Sequence, residues 1–142
     1  MTTGQKGLTL IKFYESLKLQ SYKCPAGIWT IGYGHTGNVC GGDHITIEMA
    51  QSLLAQDLKV PEDTINKLNL PLSQNKFDAL VSFVFNCGAC NFANSTLKKK
   101  VVNNSEDPTI KDEFMKWTRG GGVVLPGLVK RRNEEQILYF TA

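Results

Sequence analysis

The stretch Lys18-Leu19-Gln20-Ser21-Tyr22-Lys23-Cys24-Pro25-Ala26-Gly27-Ile28-Trp29-Thr30-Ile31-Gly32-Tyr33-Gly34 decides the fold. From Leu17 onward, Leu17, Leu19 and Ser21 alternate with polar residues, a period of two that suits a strand. Cys24-Pro25-Ala26-Gly27 supplies a turn, and Ile28 to Gly34 returns as a β-rich run punctuated by glycine. The reading is a hairpin, extended into a small sheet by residues up to about Val39. Gly32 and Gly34 stand at alternate positions. One face of the returning strand is therefore expected to be nearly bare, open to a ligand or another backbone.

On the N-terminal side of this hairpin, Leu10, Ile11, Tyr14 and Leu17 recur at spacings of three and four, so Gly7 to Leu17 reads as one amphipathic helix. Glu15 falls at or near its C-terminal end, where the negative pole of the helix dipole favours a protonated acid. After Ile45 the chain reads as helical. Thr46 suits the N-cap of a helix carrying Met49, Ala50, Leu53, Leu54 and Leu58, which Pro61 interrupts or kinks. Ser73 can cap a strongly periodic helix with Phe77, Leu80, Val81, Val84 and Phe85, ended by Gly88. Ser95 opens a short helix. Pro108 suits the first turn of the next, which runs through Phe114 and Trp117 until Gly120-Gly121-Gly122 stops it. Pro126 to Phe140 forms the last. The expected fold is α+β and mostly helical, one domain over residues 1–142. It has an N-terminal lobe of about 1–45, a linking helix of about 46–60, and a helical lobe of about 61–142. A cleft between lobes is the natural seat of a long polymer.

Composition narrows the classes further. A chain of 142 residues is one domain long and can bury a core without metals or disulfides. With 42% hydrophobic and 20% charged residues it is neither disordered nor fibrous. No apolar run reaches the ~18 residues of a membrane span. Met1 to Lys6 lacks the apolar stretch of a signal peptide. Stable membrane insertion is not expected, and export is expected to need another component. A net charge of +3 tolerates an anionic polymer but is weak for a dedicated nucleic-acid binder. Lys98-Lys99-Lys100 and Lys130-Arg131-Arg132 read mainly as solvated faces, with Arg131 also suited to pin the last helix to a carboxylate or to helix C-termini. Trp29 and Trp117 are expected in the core.

The four cysteines, at 24, 40, 87 and 90, are too sparse for a disulfide-built scaffold. Free thiols are the plain expectation. Cys87-Gly88-Ala89-Cys90 is a C-x-x-C motif that Cys40 and His44 could complete as a zinc site, although the spacing is irregular for one. A local Cys87–Cys90 disulfide and a Cys24–Cys40 redox lock are also compatible with the sequence.

Glu15, Cys24 and Thr30 come close together if the hairpin folds back on the helix end. Glycoside hydrolysis needs a protonated acid for the leaving oxygen and a second group that activates water or attacks the sugar. Glu15 suits the first role, a thiolate at Cys24 the second, and the Thr30 hydroxyl could orient the water. On spacing alone, a solvated surface glutamate is the commoner case.

Phe13-Tyr14-Glu15-Ser16-Leu17-Lys18-Leu19, Tyr22 and Thr30-Ile31-Gly32-Tyr33-Gly34-His35-Thr36 resemble the catalytic signature of phage-type lysozymes, the endolysins of glycoside hydrolase family 24. Asp78 to Gly88 resembles their central buried helix, and Ser95-Thr96-Leu97 and Gly127 to Glu134 resemble later motifs, so the likeness spans nearly the whole chain in order. The family places Glu, then Asp or Cys, then Thr, with eight and five residues between them, as Glu15, Cys24 and Thr30 stand here. The resemblance implies a muramidase cutting the β-1,4 bond between N-acetylmuramic acid and N-acetylglucosamine in bacterial peptidoglycan. Glu15 would be its general acid, Cys24 would stand in place of the aspartate as base or nucleophile, and Thr30 would orient water. For members carrying Asp it implies inversion, with carboxyl groups about 6.5–9.5 Å apart. A thiolate at Cys24 opens a covalent, retaining route as well.

Tyr33, His35, Phe85 and Asn86 match positions along the family's sugar-binding groove, with His35 better suited to holding the Glu15 loop than to proton transfer. No cofactor is implied, and the chain is expected to act as a monomer. It would stay in the host cytoplasm until a holin-type pore opens, then act in the periplasm on the cell wall. Two competing readings are a lytic transglycosylase using Glu15 alone and a catalytically silent wall-binding homologue.

Overall fold

A computed structural model describes residues 1–142. In chain order the elements are α1 (Gln5–Glu15), β1 (Lys18–Lys23), β2 (Trp29–Gly32), α2 (Ile47–Asp57), α3 (Lys59–Asn66), α4 (Gln74–Cys87), α5 (Ala89–Ala93), α6 (Thr96–Asn103), α7 (Ile110–Met115), β3 (Arg119–Gly120), β4 (Val123–Val124) and α8 (Pro126–Tyr139). The fold is α+β and mostly helical, as expected. It divides into two compact units: residues 11–59, and residues 1–10 together with 60–142.

In the unit of residues 11–59, β1 and β2 pair antiparallel. Their turn follows from its residues. Pro25 fixes φ in the first turn position, the Gly27 amide donates to the Cys24 carbonyl at 2.8 Å, and Gly27 takes φ 78. The register runs Lys23↔Trp29, Tyr22↔Thr30 and Lys18↔Gly32, so β1 spends two more residues than β2 between the last two pairs. Those residues turn to another partner. The Ser21 amide donates to the Asp43 carbonyl, the Ile45 amide donates to Leu19, and Gln20 bridges His44. The sheet is thus extended by residues 43–45, not by the run ending near Val39.

The returning strand also differs from expectation. It ends at Gly32, and Ile31 exchanges two backbone hydrogen bonds with His35 at 2.9 Å around the tight loop Gly32-Tyr33-Gly34. Gly32 (φ 66) and Gly34 (φ 78) serve this loop, where other residues would be strained, and do not form a bare strand face. Thr46 caps α2 as expected, accepting from the Met49 amide at 3.1 Å. The break expected near Pro61 falls at Leu58, between α2 and α3.

In the other unit, α4 is the core. Residues 76–84 are buried without interruption, because this helix is covered on every side. Phe83 meets Phe92, Phe114 and Trp117 edge-on, with centroids 5.6–6.2 Å apart. Asp78, 1% exposed, accepts from the Gly4 amide (2.8 Å), the Gly7 amide (3.1 Å) and Gln74 Nε2 (2.7 Å). It thereby satisfies amides at the N-terminal end of α1 that the helix itself leaves unpaired. A Cβ on Gly7 would come within 2.8 Å of the Asp78 side chain, so glycine there permits the approach.

Several expectations fail, most of them in this unit. Arg131 and Arg132 are buried, 3% and 0% exposed, instead of solvated. Arg132 Nε lies 2.6 Å from Glu135 Oε1, and Arg131 reaches Glu135 on its own helix and the Ser82 carbonyl within α4, so it ties the last helix to α4 through a backbone carbonyl, where a carboxylate or a helix C-terminus was expected. The helix expected through Trp117 stops at Met115, and Pro108 precedes its cap Thr109 instead of entering the first turn. Gly121 (φ 60) and Gly122 (φ 82) then form the two-residue turn of a small hairpin, β3–β4, where only a stop was anticipated. Trp29 and Trp117, expected in the core, are each half-buried within their own unit.

Candidate active site

The residues of the unit spanning 11–59 build the site. Helix α1 ends on Glu15, and the next residue, Ser16, adopts φ 60 while its amide closes the last turn onto the Lys12 carbonyl at 3.1 Å. The chain therefore leaves the helix sharply at the carboxylate. The left-handed conformation is one that a non-glycine residue adopts at some cost, and such residues concentrate where function over-determines the backbone. The Gly34 loop lies against this carboxylate: a Cβ on Gly34 would stand 3.1 Å from Glu15 Oε1. Glycine here serves both the loop's positive φ and the carboxylate's space.

Cys24 occupies the turn between β1 and β2 and is partly exposed. Hydrogen bonding from the Ile28 backbone is the main cause that holds its thiol below the ordinary value. The backbone of Ala26 and the Thr30 side chain act the same way, and together these donors outweigh the burial that pushes the thiol up. Thr30 is buried, 3% exposed, and its single hydroxyl proton has two acceptors in reach, the Ile28 carbonyl at 3.0 Å and the Cys24 sulfur, of which it serves one at a time. The structure thus brings Cys24 and Thr30 together, and it places Glu15 against Gly34, four residues beyond Thr30.

His35 is committed to the protein. Its Nδ1 lies 2.8 Å from Asp57 Oδ2 on α2, and its Nε2 lies 2.8 Å from the Gly37 carbonyl. Both ring nitrogens are thus occupied in holding the loop after Gly34, which fits an anchor better than a sugar contact. Tyr33 is 8% exposed, with the Lys12 ammonium 5.8 Å from its ring centroid, so it packs inside this unit. Phe85 and Asn86 sit near the end of α4 in the other unit, Phe85 half-buried and Asn86 exposed.

Sequence reasoning missed Asp57 and the backbone donors at Ala26 and Ile28. Asp57 lies 22 residues from its partner and no local pattern marks it. The backbone donors had a signal, since Cys-Pro-Ala-Gly reads as a turn and turns aim successive amides inward.

All four cysteines are free. Cys87 lies beside Arg132, whose Nη1 is 2.7 Å from the sulfur, and burial pushes its thiol up. No group of three or more His, Cys, Asp or Glu side chains is gathered to hold a metal ion.

A mostly helical α+β fold with small antiparallel strand pairs makes this a lysozyme-like protein. The family model for phage lysozyme matches residues 12–135, and the chain belongs to that family, which makes it a glycoside hydrolase of muramidase type. It is 45% identical to the endolysin of Acyrthosiphon pisum secondary endosymbiont phage 1, over the full length of both chains. It is 40% identical to the endolysin of Bacillus phage PZA over 98% of this chain, spanning 55% of that protein. Among solved structures, the muramidase domain of SpmX from Asticcacaulis excentricus superposes with a TM-score of 0.91, at 38% identity and 99% coverage of each chain.

Proposed function

We propose that this peptidoglycan hydrolase cleaves the β-1,4 bond between N-acetylmuramic acid and N-acetylglucosamine, with Glu15 as general acid and Cys24 in the place of the family's aspartate. The observation that carries the reading is the seat of Cys24 in the β1–β2 turn, where hydrogen bonding first from the Ile28 backbone, then from Ala26 and Thr30, holds its thiol below the ordinary value and so raises the thiolate fraction. Glu15 gives its proton to the leaving oxygen while water attacks the anomeric carbon. Cys24 takes the water's proton, and Thr30 fixes the orientation of the thiolate and of the water beside it. Tyr33 and His35 shape the loop that carries Gly34 to the acid, and within its own unit α4 offers Phe85 and Asn86 as candidates for sugar contact. No cofactor enters this chemistry. The substrate is the glycan strand, and neither nucleic acid nor a second copy of the chain is required.

Mass spectrometry of the digest tests the reaction. Hydrolysis releases muropeptides with reducing ends, whereas anhydro-muramic ends would replace this reading with a transglycosylase using Glu15 alone. Sugar binding without any product would leave a silent wall binder.

The setting we propose is phage-borne lysis, in which a pore made by a second protein opens the way from the host cytoplasm to the wall. No helix of the chain is long and apolar enough to cross a membrane. Cells expressing the chain alone are expected to keep growing and to lyse when a pore-forming protein is supplied. Export of the chain alone through the general secretion route would overturn this reading.

A further inference from the structure

The unit of residues 11–59 also holds a cavity of about 480 Å³ that the proposed reaction does not use. Side chains alternate along a strand, so Ile31, which lines the cavity, points to the face of β2 opposite Thr30. The volume falls within the range of small-molecule sites, about 300–1,000 Å³. Its floor is apolar: Ile31, Ile45 and Leu53. Its rim is polar: Asn38, His44 and Gln56, all exposed. Asn38 takes φ 54, a conformation that turns the loop here and carries a cost for a non-glycine residue. The side-chain amides of Asn38 and Gln56 make no hydrogen bond within the protein. His44 Nδ1 lies 3.0 Å from the Gly42 carbonyl and so carries the proton in the neutral ring, leaving Nε2 to accept.

These groups select a chemical class. No lysine or arginine lines the cavity, so it lacks the charge to capture a phosphate or carboxylate. Of the two Asp43 oxygens, Oδ2 already accepts from the Cys40 amide at 2.8 Å. What remains is two amides that donate and accept, one imidazole acceptor and an aliphatic floor. Hydroxyl and acetamido groups complement such a rim, and the C–H face and acetyl methyl of a sugar complement such a floor. We infer that this cavity is a second carbohydrate site, taking a neutral N-acetylated hexosamine unit on the side of the hairpin away from Thr30. The identity of the sugar rests on the hydrolase reading above. The site engages the wall polymer without reacting with it.

The test is a ¹⁵N–¹H NMR titration of the Glu15→Gln protein with the trisaccharide of N-acetylglucosamine, repeated with Asn38→Gly and Gln56→Ala added. Glycine takes the left-handed conformation of residue 38 without strain and Gln56 is exposed, so the folded spectrum is retained. Shifts at Ile31, Ile45 and Leu53, with affinity read at those residues falling at least fivefold on the double change, are expected. Shifts confined to residues around Glu15, no shifts at all, or cavity shifts indifferent to the double change would overturn the inference. Wall clearing by the native chain is followed in parallel. Clearing with a silent cavity removes the second site alone, whereas cavity shifts without clearing remove the catalytic reading and keep the site.

Discussion

In the proposed reaction, Cys24 is where the chemistry departs from a carboxylate pair. An ordinary thiol, with a pKa of about 8.5, is only a few per cent thiolate at neutral pH. Here donors from Ile28, then Ala26 and Thr30, stabilise the charged form, so the thiolate fraction at a given pH rises. The sign sets a prediction. In a Cys40→Ser, Cys87→Ser, Cys90→Ser background, the midpoint of Cys24 alkylation by iodoacetamide against pH should lie below that of a free thiol. Thr30→Val removes one of the smaller causes, so the midpoint should move up yet stay below the free value, because the Ile28 contribution persists. A midpoint at or above the free-thiol value in the Thr30-containing protein would remove the argument for Cys24. At this scale the sequence was informative in type and silent in environment. Glu15, Cys24 and Thr30 are singled out by the resemblance, since spacing alone leaves a surface glutamate the commoner case, and the Asp57 partner of His35 and the burial of Tyr33 depend on contacts that no local pattern carries.

Among the elements, what was legible had a local cause. Thr46, Ser73 and Ser95 each accept from an amide three residues on, as caps do, and the chain needs no distant contact to announce this. What was missed had a distant or a weak cause. The β3–β4 hairpin has two residues per strand, too few for a period, and the five-residue α5 is shorter than any periodic window. Arg131 and Arg132 look like a solvated run until Glu135, on the same helix, and Ser82, on α4, are seen to hold them inside. Asp78 is the same kind of case: a carboxylate on a buried helix whose partners, Gly4 and Gly7, lie more than seventy residues away. Truncating it leaves buried amides unpaired, which should cost about 1–3 kcal/mol. Asp78→Ala is therefore expected to lower the midpoint of thermal unfolding, followed by circular dichroism, by roughly 3–10 °C. An unchanged midpoint would mean that water satisfies those amides equally well.

At the scale of the whole molecule, two units of different character share the chain. One is a hairpin sheet backed by α2, carrying the acid, the thiol and their loops. The other is built around a helix covered on all sides and closed by buried charge pairs. The second kind of unit stays rigid because its core is packed and its buried charges are paired, and removing one partner of such a pair typically costs about 3–5 kcal/mol. Left-handed non-glycine residues occur in both units, Ser16 and Asn38 in the first kind and Asn69 in the second. Family membership settles that the molecule is a muramidase-type glycoside hydrolase. It leaves to experiment whether a cysteine can carry the aspartate's part. The measurement that tests this most directly is turbidity loss of purified Gram-negative cell walls, taken with the native chain and its Cys24→Ser, Cys24→Asp and Glu15→Gln variants under one buffer. Clearing by the native and Cys24→Asp proteins, with none by Cys24→Ser or Glu15→Gln, is the expected result. Full clearing by Cys24→Ser would show the thiol to be dispensable, and clearing by Glu15→Gln would show that the acid lies elsewhere.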